Sequence, residues 1–236
     1  MPTTMLKIIA RAVLALAATL GAFQAWAKDA NTRYPAMAPL EQYRMERNAE
    51  IALARSAAPP AISSDAKILV LGPAGYETAV EGKNGFVCMV DRSWMAGLDA
   101  PEFWNPKIRG AICFNPPAVR SILPISYKRA QLAIAGKSKT EIMQACKAAF
   151  ARKELPTLEP GSMSYMMSKD AYLTDRGDHH LAHLMFYTPE MAGKMWGADL
   201  PNSPVMLGNQ FTPAQPVTVF IIPVGRWSDG TAAPVM

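Results

Sequence analysis

The chain has 236 residues, half of them hydrophobic, and a formal net charge of +5 at pH 7. A chain of this length can bury a sizeable core as one domain without further cross-links. Its basic residues are scattered rather than gathered into a dense run, which disfavours a nucleic-acid-binding protein.

The first 27 residues have the layout of a secretory signal peptide. Lys7 and Arg11 form a basic start, residues 12–23 are apolar and uncharged, and Ala25-Trp26-Ala27 is a small-x-small cleavage signal. The apolar run is well short of the ~20 residues that a membrane-spanning helix needs. We therefore expect a signal peptide at 1–27, a single domain at 28–236, and a periplasmic or secreted protein with no membrane span after cleavage.

The predicted domain begins with a helix and a hairpin. Pro39 and the helical spacing of apolar residues behind it predict a helix over 39–56. Three β-type runs follow, at residues 67–71, 76–80 and 86–90. The loop between the second and third runs contains Asn84-Gly85, a pair that tolerates the positive φ of a tight turn, so we expect these two strands to form the hairpin.

Two further helices are predicted, over 118–135 and 139–154. The second is the clearest element of the chain, because Ser138 and Glu141 have the spacing of a capping box. Strands are also expected at residues 111–114, 163–168, 183–188 and 217–224, with a proline-rich loop at 200–216. The pattern predicts an α+β fold: a mainly antiparallel sheet of about six strands with two to three packed helices.

The three cysteines indicate one disulfide bond. Cys88 and Cys113 lie in short apolar, strand-like runs, whereas Cys146 lies on the apolar stripe of a predicted helix. A Cys88–Cys113 bridge with Cys146 as a buried thiol suits an exported protein, and it requires Cα atoms about 4.4–6.8 Å apart. The alternative is that all three are buried apolar residues.

All histidines lie in one stretch, DHHLAHLMFYTP. In a helix, His179 or His180 would share a face with His183 and could chelate a metal, with Asp175 and Asp178 as oxygen ligands. The apolar, aromatic end of the stretch instead favours a strand, in which His179 and His183 would be roughly 13 Å apart. We therefore prefer hydrogen-bonded histidines at a strand entrance, with His183 the better functional candidate. The alternative is a metal-binding protein or metal-dependent hydrolase that uses the histidines with Asp178.

Methionines offer a second kind of metal ligand. They cluster in the C-terminal half, at Met163, Met166, Met167, Met185, Met191 and Met195. Thioethers together with imidazole suit Cu(I), but methionine also fills irregular gaps in a core, and we prefer core filling. No cofactor is therefore expected, with zinc or copper as the alternative.

No complete catalytic motif is present. Tyr165 and Lys169 have the spacing of the short-chain dehydrogenase pair, but LVLGPAGYE supplies only two glycines instead of the three-glycine dinucleotide turn. The hydrolase patterns G-x-S-x-G, S-x-x-K and H-E-x-x-H are also missing from the sequence. Tyr165 and Trp104 remain candidates for contact with a ligand, beside His180 and His183, with burial in the core as the alternative.

Several segments together resemble a family of hypothetical bacterial proteins that carry signal peptides. They are YPAMAPLEQY, GYETAVEGKNGFVCMV, FWNPKIRGAICFNP, PGSMSYMMSKD, HLMFY and WSDGT. The likeness runs from Tyr34 to about Thr231. It implies a bacterial, exported, single-domain protein and assigns no activity or site. From the signal peptide, the α+β pattern and the absence of a complete catalytic motif, we expect a non-catalytic domain that binds a small molecule or a partner at the cell envelope.

Overall fold

The computed structural model describes residues 33–98, 100–176 and 180–234. The predicted signal peptide lies outside these ranges, as do Asp178 and His179. Among the described residues, none of the helices combines the length and apolarity that crossing a membrane requires.

One sheet of eight strands organises the chain, so the α+β class is confirmed while the predicted count of about six strands is too low. The strands are β1 (Lys67–Gly72), β2 (Gly75–Val80), β3 (Val87–Asp91), β4 (Gly110–Phe114), β5 (Met163–Met166), β6 (His183–Thr188), β7 (Met206–Asn209) and β8 (Thr218–Pro223). Their order across the sheet is β2-β1-β3-β4-β5-β6-β8-β7. Only β1 and β3 pair in parallel, and the other neighbours are antiparallel. The edge strand β7 lies inside the proline-rich segment 200–216, which was predicted to be a loop.

In the described part of the chain, five α-helices flank the sheet, more than the two to three expected. They are α1 (Arg47–Arg55), α2 (Pro60–Ser63), α3 (Pro116–Ser121), α4 (Leu123–Ile134) and α5 (Lys139–Ala151). The predicted helix over 39–56 is divided, because the Glu46 side chain accepts from the backbone N–H groups of Asn48 and Ala49 and so starts α1 there. The capping box of α5 is confirmed, with Ser138 and Glu141 each accepting from the other's backbone N–H.

The hairpin lies one strand earlier than predicted. β2 folds back on β1 with Gly72 opposite Gly75, whereas β3 lies parallel to β1 on its other side. Pro73 and Ala74 occupy the connection, and Gly75 adopts a φ of 129°, which residues with a side chain rarely adopt.

Asn84-Gly85 forms a turn that serves a different connection. Gly85 has the expected positive φ, 78°. The Asn84 side chain donates to the carbonyl of Ile62 at 2.7 Å, and Lys83 N donates to the carbonyl of Asp65 at 2.7 Å. These bonds hold the loop against the segment that precedes β1, so the loop delivers β3 to the far side of that strand.

Helices cover the sheet on both faces. We call the side that packs on α3, α4 and α5 the front face and the side that packs on α1 the back face. Front-face residues of the strands include Leu69, Val87, Met89, Ile112, Phe114, Tyr187 and Val219. Back-face residues include Ile68, Cys88, Val90, Ala111 and Cys113, against Ala54, Ala57 and Ala58. The alternation of side chains along each strand produces this division.

A disulfide bond joins Cys88 and Cys113 on the back face, as predicted, and Cys146 is a buried free thiol. The two bridged residues lie directly opposite each other on antiparallel β3 and β4. Their Cα atoms are 3.9 Å apart, which is below the expected range of about 4.4–6.8 Å.

Candidate functional site

A cavity of about 930 Å³ opens on the front face, beyond the area that the helices cover. Residues of four neighbouring strands form its floor, with Asp91 from β3, Gly110 from β4, Met166 from β5 and Met185 from β6. Its walls come from residues 33–34, 92–96, 100–102 and 173–176, together with Ile108. The lining is largely apolar, and its apolar side chains include Met95, Ile108 and Leu173.

Gly110 keeps the floor of the cavity open. It pairs directly with Asp91 across β3 and β4. A Cβ atom at this position would lie 3.3 Å from Leu173 Cδ2, 3.4 Å from Met166 Cε and 3.6 Å from Asp91 Cβ. A Cβ atom here would therefore be tight against Leu173 and in van der Waals contact with Met166 and Asp91.

Asp91 is the chemically distinctive group of the floor. Its Oδ1 is buried and has no hydrogen-bond partner among the described residues, although the residue as a whole keeps partial exposure. Burial raises the pKa of this carboxyl group to about 7, and the charges of Arg92 and Arg129 oppose that rise. Asp91 can therefore gain or lose a proton near neutral pH.

Arg92 lies behind Asp91 in a fully buried ion pair. It donates to Glu50 Oε1 at 2.7 Å, to the carbonyl of Tyr43 at 2.6 Å and to the carbonyl of Val90. The side chains of Arg92 and Glu50 are 0% and 1% exposed. Glu50 also accepts from Leu71 N at 3.0 Å. The pair thus connects α1, β1 and β3 below the cavity.

Asp175 joins separate segments at the rim of the cavity. Its carboxylate accepts from the hydroxyl groups of Tyr34 and Tyr172, and Arg33 Nη1 lies 3.0 Å away. Lys107 Nζ lies 3.6 Å away. The hydrogen bonds from Tyr172 and Tyr34, with smaller contributions from Asn105 and Lys107, lower the pKa of Asp175 to about 2. At neutral pH the carboxylate is therefore ionised and already surrounded by partners.

The predicted histidines lie at the margin of this site. His183 is buried on the front face of β6, directly opposite the cavity residue Met166. His183 Nδ1 donates to the carbonyl of Leu181 at 2.7 Å, and His180 Nε2 donates to that of Ser168 at 2.6 Å. Because a carbonyl only accepts, these bonds fix which ring nitrogen carries the proton. Neither ring lines the cavity.

The predicted metal site remains untested. Within the described ranges, no three His, Cys, Asp or Glu side chains are grouped so that they could hold an ion. Asp178 and His179, however, lie outside those ranges. Burial lowers the pKa of His183, and the neighbouring His180 lowers it further, so the ring is neutral at pH 7.

The aromatic candidates lie elsewhere. Tyr165 is on the back face, opposite Cys113, and packs against Phe86 with ring centroids 6.4 Å apart. Trp104 is buried against Phe103 and lines a separate, smaller cavity of about 420 Å³. Neither residue lines the main cavity.

Sequence reasoning missed Asp91 and saw Asp175 only as a metal ligand. One signal for Asp91 is present in the chain: it is the first charged residue after the apolar run GFVCMV. A charge at the end of a buried strand marks the point where that strand leaves the core. No pattern in the sequence brings Asp175 next to Tyr34, because 141 positions separate them.

The chain was compared with protein-family models, with curated proteins and with solved structures, and none of the three comparisons found a match.

Proposed function

We propose that the protein is an exported, non-catalytic domain that binds a small molecule in the front-face cavity. The observation that carries the proposal is the cavity itself. Its volume of about 930 Å³ lies within the range of roughly 300–1,000 Å³ typical of ligand sites. Apolar walls with a few polar groups are also typical of such sites, since the walls supply affinity and the polar groups fix orientation.

Export is supported by two independent features. The first 27 residues have the basic, apolar and small-residue regions of a cleaved signal. The Cys88–Cys113 bond suits a periplasmic or secreted protein, because such compartments are oxidising. The resemblance to exported bacterial proteins is part of the same proposal.

A binding assay with an uncharged fluorescent probe, N-phenyl-1-naphthylamine, tests the proposal. The fluorescence of this probe increases in an apolar site, and we expect saturable binding to one site. Ala96 lines the cavity, so Ala96→Phe should fill part of it and weaken binding by about tenfold or more, equivalent to about 1.4 kcal/mol.

The matched control places the same side chain on the surface. Ala151 is exposed at the end of α5, away from the cavity, and Ala151→Phe should leave the affinity within about twofold of the wild type. Circular dichroism of both variants checks that they are folded. Equal affinities of the two variants, or no saturable binding by the wild type, would exclude a ligand site in this cavity.

A further inference from the structure

We propose that the cavity selects a ligand with an apolar body and a protonated amine, and that Asp91 is the counter-ion of that amine. This inference rests on the proposed function, since it specifies what the cavity binds. It depends on which polar groups of the lining already have hydrogen-bond or ion-pair partners within the protein and which do not.

Two cationic side chains of the lining, Arg92 and Arg33, already have partners. The guanidinium of Arg92 donates to Glu50 and to two backbone carbonyls, and Glu50 balances its charge. Arg33 pairs with Asp175. Neither group needs an anionic ligand to satisfy it.

The other acidic groups of the lining are also occupied. Asp175 accepts from two tyrosine hydroxyls and pairs with Arg33. Glu102 Oε1 accepts from Asp175 N at 2.8 Å and from Thr174 Oγ1 at 3.3 Å. Among these groups Asp91 differs, because its buried Oδ1 accepts no hydrogen bond from the described residues.

The position of Asp91 determines what can reach it. The residue pairs with Gly110, and the side chains of Met166 and Leu173 lie beside that glycine, so the floor next to Asp91 is apolar on this side. A ligand that enters must place an apolar body along the methionines and a donor against the part of the Asp91 carboxyl group that stays exposed to the cavity. An ammonium group is the strongest such donor, because its hydrogen bond to a carboxylate is charge-assisted.

The nearby cations do not reverse this preference. Arg129 donates to the carbonyl of Ala96 at 2.6 Å and lies over the ring of Phe103, 5.7 Å from its centroid. Its charge and that of Arg92 both favour the ionised form of Asp91. An ammonium group that contacts Asp91 directly meets a carboxylate that these arginines help to keep charged.

Three ligands that share an eight-carbon chain test the inference: octylamine, octanol and octanoate. The assay measures how well each ligand displaces N-phenyl-1-naphthylamine from the wild-type protein. It is run at about pH 8, where Asp91 is mostly ionised and an alkylamine is protonated. We expect octylamine to bind at least about tenfold more tightly than octanol, and octanoate to bind most weakly.

The variant Asp91→Asn keeps the shape of the side chain and removes its charge. It should reduce the preference for octylamine over octanol to less than about threefold. If the variant does not fold, the relative affinities of the three ligands for the wild-type protein still test the inference. If the probe binds but octylamine has no advantage over octanol, or octanoate binds best, this inference is wrong and the binding function stands. If neither the probe nor any of the three ligands binds, the proposed function itself fails.

Discussion

Replacing Glu50 by alanine removes one partner of an ion pair that has almost no contact with water. The Glu50 and Arg92 side chains are 1% and 0% exposed, and Arg92 Nη2 lies 2.7 Å from Glu50 Oε1. The variant leaves a buried guanidinium without its counter-ion and leaves Leu71 N without its acceptor. Breaking a buried pair in this way costs about 3–5 kcal/mol, a large part of the roughly 5–15 kcal/mol that stabilises an ordinary domain.

Urea unfolding with the disulfide bond intact measures this loss as a decrease in the free energy of unfolding. In a thermal melt, the same loss lowers Tm by roughly 6–20 °C for a domain of this size. A second ion pair provides the matched control. Arg47 Nη1 and Glu77 Oε1 are 2.6 Å apart, but both side chains are about half exposed, so Glu77→Ala should cost less than about 1 kcal/mol.

A double-mutant cycle separates the pair from its surroundings. Glu50→Leu and Arg92→Met should each be strongly destabilising, and the double variant should cost clearly less than the sum of the two, because no unpaired charge remains. Additive losses, or a Glu50→Ala variant no less stable than Glu77→Ala, would contradict the assignment of Glu50 and Arg92 as a buried, coupled pair.

Three other outcomes are expected. Replacing Cys88 and Cys113 together by alanine should lower the free energy of unfolding by roughly 3 kcal/mol, since the bond closes a loop with a sequence separation of 25. Cys146→Ala is the control, and an equal loss of stability in both variants would argue against the bond. The carboxylate of Asp175 has a folded pKa of about 2, below its ordinary 3.8, so its contribution to stability is complete above about pH 4 and is lost as the pH falls towards 2. When the free energy of unfolding is measured against pH, Asp175→Asn should lack this loss of stability in acid. Identical acid profiles of the variant and the wild type would contradict the assignment to Asp175. The pKa of His183 is lowered from its ordinary 6.5, so stability should decrease as the pH falls below about 6.5. His183→Asn should show a smaller decrease over that range, and an unchanged pH profile would exclude this role for His183.

Local chemistry in the sequence predicted the elements whose partners are close in the chain. The capping box of Ser138 and Glu141 involves residues three apart, and its geometry follows from the residue types alone. The Cys88–Cys113 bond was predictable because both cysteines lie in apolar β-type runs and Cys146 lies on a helical stripe.

Strand pairing was not predictable in the same way. Asn84-Gly85 correctly indicated a positive φ, yet a turn residue does not determine which strand its neighbour will join. Contacts with Ile62 and Asp65, about twenty positions earlier, decide that β3 lies beside β1. The strand Met206–Asn209 was missed for a related reason. Its sequence is short, weakly patterned and flanked by prolines, so it does not indicate a strand, and pairing with β8 forms the strand nevertheless.

The candidate site was even harder to predict from the sequence than the strand pairing. The histidine cluster is conspicuous in the sequence, but its described members donate to nearby backbone carbonyls at the entrance to β6. The cavity instead combines residues of four strands with loops from distant parts of the chain, and no local sequence pattern predicts that assembly. Asp91 becomes distinctive only once burial and missing partners can be seen.

The bond between Cys88 and Cys113 has a practical consequence for anyone preparing this protein. The two cysteines face each other three positions away from the facing pair Asp91 and Gly110, on the same two strands. A slip of one residue between these strands would turn Asp91 away from the floor of the cavity. Material made in a reducing cytosol would depend on packing alone to keep that alignment. Ligand screens should therefore begin with oxidised protein, and a count of free thiols should accompany each batch.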